Sequence, residues 1–138
     1  MTILREIGMF ILGGSGYVTL EMLWRGRSHI SMFGAGGICL LLIGRLNELQ
    51  PRMNLLARIL AGAGIITAVE LGTGLVANRD YSVWDYRQMR GNFRGQICPQ
   101  FCLLWIPVSA LALGLHSGLN RMLWEGRKSR PEKPGGYV

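Results

Sequence analysis

The chain has 138 residues, of which 49% are hydrophobic and 17% are charged, and its formal net charge is +7. This is the length of one domain, and the charged fraction is low for the surface of a soluble domain of this size. Because the basic residues lie between and after the apolar blocks, we expect them to meet membrane lipids with anionic headgroups. We expect no nucleic-acid partner.

Four apolar blocks follow one another along the chain, each of about 20 residues, the length that crosses a bilayer as a helix. They predict transmembrane helices over residues 3–24, 30–46, 55–77 and 97–119. The first block lacks the small-residue cleavage site of a signal peptide, so we interpret it as an uncleaved helix. The sequence therefore predicts an all-α integral membrane protein with four transmembrane helices.

The predicted four-helix transmembrane domain covers residues 1–120, and residues 121–138 form a basic tail, rich in Pro and Gly, that we expect to be partly disordered. An even number of spans places both termini at one face. Nine Lys and Arg residues lie at that face and six at the other. This bias predicts a multi-pass protein of the cell membrane with cytoplasmic termini and an outward-facing loop of residues 78–96.

Glycine is frequent inside the predicted helices, where small residues let helix backbones approach closely in lipid. Gly114 and Gly118 form a GxxxG pattern, which occurs in helix dimers. Four short helices rarely enclose a pathway by themselves. We therefore expect a homo-oligomer, most simply a dimer.

The two halves of the sequence resemble each other. GGSGYVTLE at residues 13–21 aligns with GAGIITAVE at 62–70, and Gly-x-Ile-Cys recurs at 36–39 and 95–98. Two explanations are open. One is chance similarity between glycine-rich apolar segments, and the other is a duplicated two-helix hairpin whose parallel copies are related by an axis along the membrane normal.

Glu70 is the most informative residue, because eleven uncharged residues precede it and eight follow it. A carboxylate in lipid is costly unless it is paired or faces water. Glu21 occupies the matching place in the first helix, toward the same membrane face. We predict a polar ligand-binding pocket at that face, with the candidate residues Glu21, Arg25, His29, Glu70, Trp84, Asp85, Tyr86 and Asn92.

Two interpretations of this cluster are open. Carboxylates with arginines and aromatic rings are suited to bind a cation, a zwitterion or an amine. Alternatively, Glu21 pairs with Arg25 or Arg27, and Glu70 with a loop arginine, in a structural ion-pair network. One histidine and two carboxylates on three segments are a weak metal pattern, so we predict no metal and no cofactor.

Other polar and aromatic residues have simpler expected roles. His116 is expected to form a hydrogen bond between helices, and Glu48 to cap a turn or pair with Arg52. The three cysteines are expected to be small buried hydrophobes. Three tryptophans fit the role of interfacial anchors: Trp24, Trp84 and Trp105.

Several of these residues also form a family pattern. ELGTG at residues 70–74 is followed by VWDY at 83–86, Asn92, GQIC at 95–98 and Trp105. This order resembles the E-x-x-x-G, W-D-Y-S, N-x-x-G-x-I-C and tryptophan pattern of the ABC-transporter type IV permease-like family of small membrane proteins. The resemblance covers most of the chain up to Trp105 and implies a transport-related protein with transporter partner subunits. Arg87 stands where the family often has serine.

Three functions remain open on this basis. The favoured one is a permease-like or channel-like subunit whose substrate is not identified by the sequence. The second is a structural or regulatory membrane subunit, or a small lytic membrane protein. The third is a membrane-embedded enzyme acting on lipid headgroups or isoprenoids. The sequence contains no phosphate-loop, HExxH or GxSxG motif, which disfavours an enzyme.

Overall fold

The computed structural model describes residues 2–50 and 52–125. It contains the helices α1 (Thr2–Arg25), α2 (Ile30–Leu49), α3 (Leu55–Ala77) and α4 (Pro99–Leu119), and a π-helical segment, Asn120–Glu125, continues α4. All four α-helices are long and apolar enough to cross a membrane, and no strand occurs in the described ranges. The predicted all-α fold with four membrane-spanning helices is confirmed. Most of the predicted basic tail, residues 126–138, lies outside the described residues.

Two helix ends differ from the prediction. The second helix continues to Leu49 because its last turns carry polar side chains that contact other helices, as described below. The fourth helix begins at Pro99, not at residue 97. Proline suits a first helical position, where its missing N–H has no partner to lose, and Ile97 instead forms an isolated bridge with Phe93 in the loop.

α2 is the central helix. It packs against α1, α3 and α4, whereas α1 packs mainly on α2. α1 and α2 approach closely at glycines, because a Cβ on Gly13 would lie 2.6 Å from the carbonyl oxygen of Gly36. Gly114 and Gly118 meet nothing within 4 Å, so this GxxxG pattern does not serve packing within the described bundle.

The chain reversals define two faces of the bundle. At the loop face, α1 ends, α2 begins, and residues 78–98 join α3 to α4; at the terminal face, α1 begins and α4 ends. The two Gly-x-Ile-Cys segments are placed differently, since residues 36–39 lie inside α2 and residues 95–98 precede α4. The duplicated hairpin therefore stays a hypothesis, supported by the first pair of segments alone.

Candidate functional site

The site is built around Glu70, which α3 carries into the bundle near the loop face. The side chain is buried, and both carboxylate oxygens accept hydrogen bonds. Oε1 accepts from the Tyr86 hydroxyl at 2.9 Å, and Oε2 accepts from Nε1 of Trp105 at 2.9 Å. Glu70 thus joins α3 to the loop and to α4 through neutral aromatic donors.

Arg25 extends this arrangement to α1. Its Nη2 donates to the Tyr86 hydroxyl at 3.5 Å, and its Nη1 donates to the carbonyl oxygen of Val83 at 3.3 Å. Its Nε lies 3.3 Å from a carboxylate oxygen of Glu21, one helical turn earlier. The arginine therefore bridges the end of α1 and the loop.

We call this set the Glu70 network: Glu21, Arg25, Glu70, Tyr86 and Trp105. It contains two carboxylates and one guanidinium, so its formal charge with both acids ionised is negative. The prediction that Glu21 pairs with Arg25 or Arg27 is met by Arg25. The alternative that Glu70 pairs with a loop arginine is wrong, because its partners are Tyr86 and Trp105.

The loop is held in place by two buried amides, Asn78 and Gln96. The Asn78 side chain accepts from the backbone N–H of Val83 at 2.8 Å and donates to the carbonyl oxygen of Trp84 at 2.6 Å. It also donates to Oε1 of Gln96 at 2.9 Å, and Gln96 donates back to the Asn78 carbonyl oxygen at 3.0 Å. Because buried polar groups are costly when unpaired, these bonds fix the loop over the bundle.

Trp84 and Tyr86 point inward from this loop. Trp84 is buried and donates from Nε1 to the carbonyl oxygen of Gln96 at 2.9 Å. The Tyr86 ring stacks on Phe101 of α4 with a centroid distance of 4.7 Å. Burial and the charge of Glu70 raise the pKa of the Tyr86 hydroxyl above its ordinary value. The hydroxyl therefore keeps its proton and remains a donor to Glu70.

Besides Trp84, three other predicted site residues lie outside the Glu70 network. His29 caps α2, with Nδ1 accepting from the backbone N–H of Ser31. Asp85 is exposed and forms an ion pair with Arg87 at 2.8 Å, whose hydrogen bonds lower the pKa of the Asp85 carboxyl. Asn92 closes a loop turn by accepting from the backbone N–H of Gly95 at 2.9 Å.

Sequence reasoning assigned the wrong role to two tryptophans. Trp84 and Trp105 are buried and donate hydrogen bonds inside the protein, so they are not interfacial anchors, whereas Trp24 is exposed. The available signal was the indole N–H, which needs a partner when the ring is buried. The reasoning also gave no role to Tyr17, which lines a small cavity beside Glu70.

This cavity has a volume of about 10 Å³ and is bounded by Tyr17, Cys39, Glu70 and Trp84, among others. Such a volume is close to the minimum for one water molecule. Within the described ranges, no group of three or more His, Cys, Asp and Glu residues is placed to hold a metal ion. The inner space therefore has room for one small group beside Glu70.

A second polar cluster lies at the terminal face. Arg5 of α1 forms an ion pair with Glu48 of α2, and Arg45 of α2 forms one with Glu6 of α1. The expectation that Glu48 caps a turn or pairs with Arg52 is replaced by this contact with α1. These two pairs bind the first turns of α1 to the last turns of α2.

His116 connects the same face to α4. It is buried, and its Nε2 lies 3.6 Å from the Glu48 carboxylate. Its Nδ1 lies 3.2 Å from Nδ2 of Asn47, and Oδ1 of Asn47 accepts from Arg58 at 2.7 Å. His116 thus takes part in a hydrogen bond between helices, as its sequence position indicated.

Comparison with known proteins gives one family. A family model described as Putative ABC-transporter type IV matches residues 15–126, which is most of the chain. The match includes all of the residues in the Glu70 network. No curated protein and no solved structure matches the chain.

Proposed function

The chain belongs to the Putative ABC-transporter type IV family, and from this membership we propose that it is a permease-like or channel-like membrane subunit whose loop-face pocket receives a cationic amine. Its four helices are long and apolar enough to span a membrane. Family membership and these helices support a transport-related membrane protein. The pocket and the class of ligand are our proposal.

The charge of the Glu70 network carries this proposal. Two carboxylates, Glu21 and Glu70, share the single guanidinium of Arg25. Arg25 contacts Glu21 directly but reaches Glu70 only through the Tyr86 hydroxyl. A carboxylate in an apolar setting is strongly stabilised by a nearby opposite charge. A bound cation would supply the charge that the network lacks.

The Tyr86 hydroxyl determines access to Glu70 in this proposal. It lies between the carboxylate and Arg25, at the inner side of the loop. Movement of this side chain would free one carboxylate oxygen toward the loop face, where an ammonium group can donate to it. Trp105 would continue to hold the other oxygen from the side of α4.

A thermal-shift experiment with purified protein in detergent tests the proposal. Methylammonium is the principal probe, with Na⁺, K⁺ and glycine betaine as other cationic and zwitterionic candidates. A ligand present at 100 times its Kd stabilises the folded protein by about 2.7 kcal/mol. We expect methylammonium to raise the Tm of the wild type, and we expect no shift for Glu70→Gln.

Glu48→Gln is the matched control, because it removes a carboxylate at the terminal face and leaves the Glu70 network intact. It should keep the methylammonium shift. Equal loss of the shift in both variants would attribute it to general destabilisation. A shift that Glu70→Gln retains would rule out Glu70 as the recognition group.

A structural role is the second candidate, and one observation favours it. Both oxygens of Glu70 already accept hydrogen bonds from aromatic donors, as expected for a buried polar group that fixes helix packing. In that case Glu70→Gln would lower the stability of the protein, and no probe would shift the wild type. The same thermal-shift series therefore separates a structural subunit from a ligand-binding one.

The cellular setting is part of the proposal. We propose a location in the cell membrane with cytoplasmic termini, from the excess of basic residues at the terminal face. We also propose a homodimer and association with transporter subunits that supply the energy, because the sequence has no phosphate loop of its own. Reporter fusions at each end of the chain test the orientation, and crosslinking in membranes tests the dimer.

A further inference from the structure

A lateral groove runs between α1 and α4, with α2 as its floor. Its volume is about 290 Å³, and its walls include Leu12 and Leu20 of α1 and Leu111 and Leu115 of α4. Because these helices are long and apolar enough to cross the bilayer, the groove opens toward lipid chains and not toward water. An apolar chain is therefore the chemistry that matches most of its wall.

Two hydroxyl-bearing side chains interrupt this apolar wall. The Thr19 hydroxyl is already satisfied, since it donates to the carbonyl oxygen of Ser15 at 2.7 Å. Tyr17 has no hydrogen bond with any other residue that the structure describes. Its ring lies 5.9 Å from the ring of Trp105, which donates to Glu70. Among the described residues that line the groove, Tyr17 therefore supplies a hydroxyl without a hydrogen-bond partner, on a ring beside Trp105.

Tyr17 also lies between the groove and the inner cavity. Three residues, Tyr17, Cys39 and Ile66, line both spaces, and Glu70 lines the inner one. The inner cavity has about 10 Å³, enough for a group the size of one water molecule. A primary ammonium group has that size, whereas a trimethylammonium group does not. The pair of spaces therefore fits a long apolar chain that ends in a primary amine.

We propose that the groove binds, from the bilayer, the chain of a single-chain primary amine whose ammonium group passes Tyr17 to reach Glu70. This inference rests on the proposed function and specifies its substrate class. The Tyr17 hydroxyl accepts a hydrogen bond from the ammonium group, and Glu70 supplies the charge. The chain enters laterally, between α1 and α4, whereas a small amine such as methylammonium enters from the loop face. On either route the Tyr86 hydroxyl has to release one Glu70 oxygen.

A second depression on the bundle surface lacks these features. It lies between α3 and α4, has a volume of about 440 Å³, and is lined by Gly64 and Thr67 among apolar residues. The Thr67 hydroxyl is satisfied by the carbonyl oxygen of Ala63 at 3.0 Å. No carboxylate borders this depression, which makes it the natural control surface.

The test uses photoreactive dodecylamine with the protein in phosphatidylcholine nanodiscs, and crosslinked peptides are mapped by mass spectrometry. We expect crosslinks in α1 and α4 along the groove. Unlabelled dodecylamine should compete for them, whereas dodecanoic acid and dodecyltrimethylammonium should not. Crosslinks spread over all lipid-facing surfaces, or equal competition by dodecanoic acid, would overturn the inference.

Two glycine variants provide the matched pair. Gly16 lines the groove, and a Cβ at this position would meet nothing within 4 Å, so Gly16→Leu introduces a side chain into the groove from a position where its first atom is unobstructed. It should reduce the crosslinking at least about tenfold, equivalent to ~1.4 kcal/mol of binding. Gly64→Leu, at the second depression and equally unobstructed, should leave it unchanged. Equal effects of the two variants would overturn the assignment to the groove.

Methylammonium separates this inference from the proposed function, because it has no chain to place in the groove. In one outcome, methylammonium raises the Tm of wild type and of Gly16→Leu while dodecylamine fails to crosslink in the groove. That result supports the loop-face pocket and contradicts lateral entry of the chain. If methylammonium gives no Tm shift and Glu70→Gln crosslinks with dodecylamine as wild type does, both the proposed function and the role of Glu70 in the groove inference are contradicted.

Discussion

The polar clusters at the two faces of the bundle differ in the groups that stabilise their carboxylates. At the terminal face, Glu48 and Glu6 are each paired with an arginine, which is Arg5 for Glu48 and Arg45 for Glu6. At the loop face Glu70 is more deeply buried, and its hydrogen-bond donors are the neutral side chains of Tyr86 and Trp105. Matched ion pairs hold α1 against α2, whereas unmatched charge is the property expected of a binding site.

The largest effect is expected for the loop that covers the Glu70 network. Asn78→Ala removes the side chain that binds Val83, Trp84 and Gln96, leaving several buried polar groups unpaired. The cost should be about 3 kcal/mol, given ~1–3 kcal/mol for each unsatisfied group. Chemical denaturation of the purified protein measures this loss.

Asn92→Ala is the control for Asn78→Ala. Asn92 also makes hydrogen bonds within the loop, but its side chain is only part-buried and lies outside the buried amide pair. We expect a clearly smaller loss of stability. If the two variants were equally destabilised, the loop would be held throughout its length and not by Asn78 and Gln96.

A smaller effect is expected when one donor to Glu70 is removed. Trp105→Phe keeps a buried aromatic ring but leaves a Glu70 oxygen without its partner. The free energy of unfolding should fall by about 2 kcal/mol. Trp24→Phe is the matched control, because Trp24 is exposed at the end of α1 and should change stability little. Comparable losses in both variants would contradict the central place of Glu70.

The terminal face should tolerate the corresponding change better. Glu48→Gln weakens the contacts of this side chain with Arg5 and His116. The Glu48 side chain is 26% exposed, so these contacts are partly open to solvent. Such pairs contribute about 1 kcal/mol or less. Denaturation of Glu48→Gln and Trp105→Phe under the same conditions compares the faces directly. A larger loss for Glu48→Gln would reverse the contrast between them.

The helices were predictable from sequence because apolar length alone specifies a membrane span. The pairing of Glu21 with Arg25 was one of two predicted alternatives, and the spacing of one helical turn explains why Arg25 is the partner. The contact between Trp105 and Glu70 did not, since it joins residues 35 positions apart and depends on how α3 and α4 pack. No periodic pattern in either helix encodes that register.

The order of residues in the WDY segment indicates which of its side chains share a side of the loop. Side chains alternate in direction along extended backbone, so Trp84 and Tyr86 share a side and Asp85 takes the other. The structure has this alternation, with the two aromatic residues buried and Asp85 exposed. The assignment of all three to one ligand-binding pocket stays a prediction, and this alternation places two of them on the inner side of the loop.

Asp85 provides the smallest expected effect and the sharpest control for the loop face. Its carboxyl is paired with Arg87, and the hydrogen bonds from Arg87 hold its pKa below the ordinary value, which is about 3.9. A lowered pKa means that the pairing is complete at neutral pH and is lost only as pH falls through the lowered value. Asp85 therefore stays ionised throughout the range from about pH 5 to 8, and the pair should give ligand binding no pH dependence there.

Asp85→Asn should therefore leave both the Tm and the methylammonium shift of the wild type unchanged at pH 7. Glu70→Gln, only a loop away, should abolish the shift. Thermal-shift titrations of the two variants side by side measure this difference. Loss of the shift in Asp85→Asn would mean that the exposed side of the loop takes part in binding, and the distinction between its inward and outward residues would then fail.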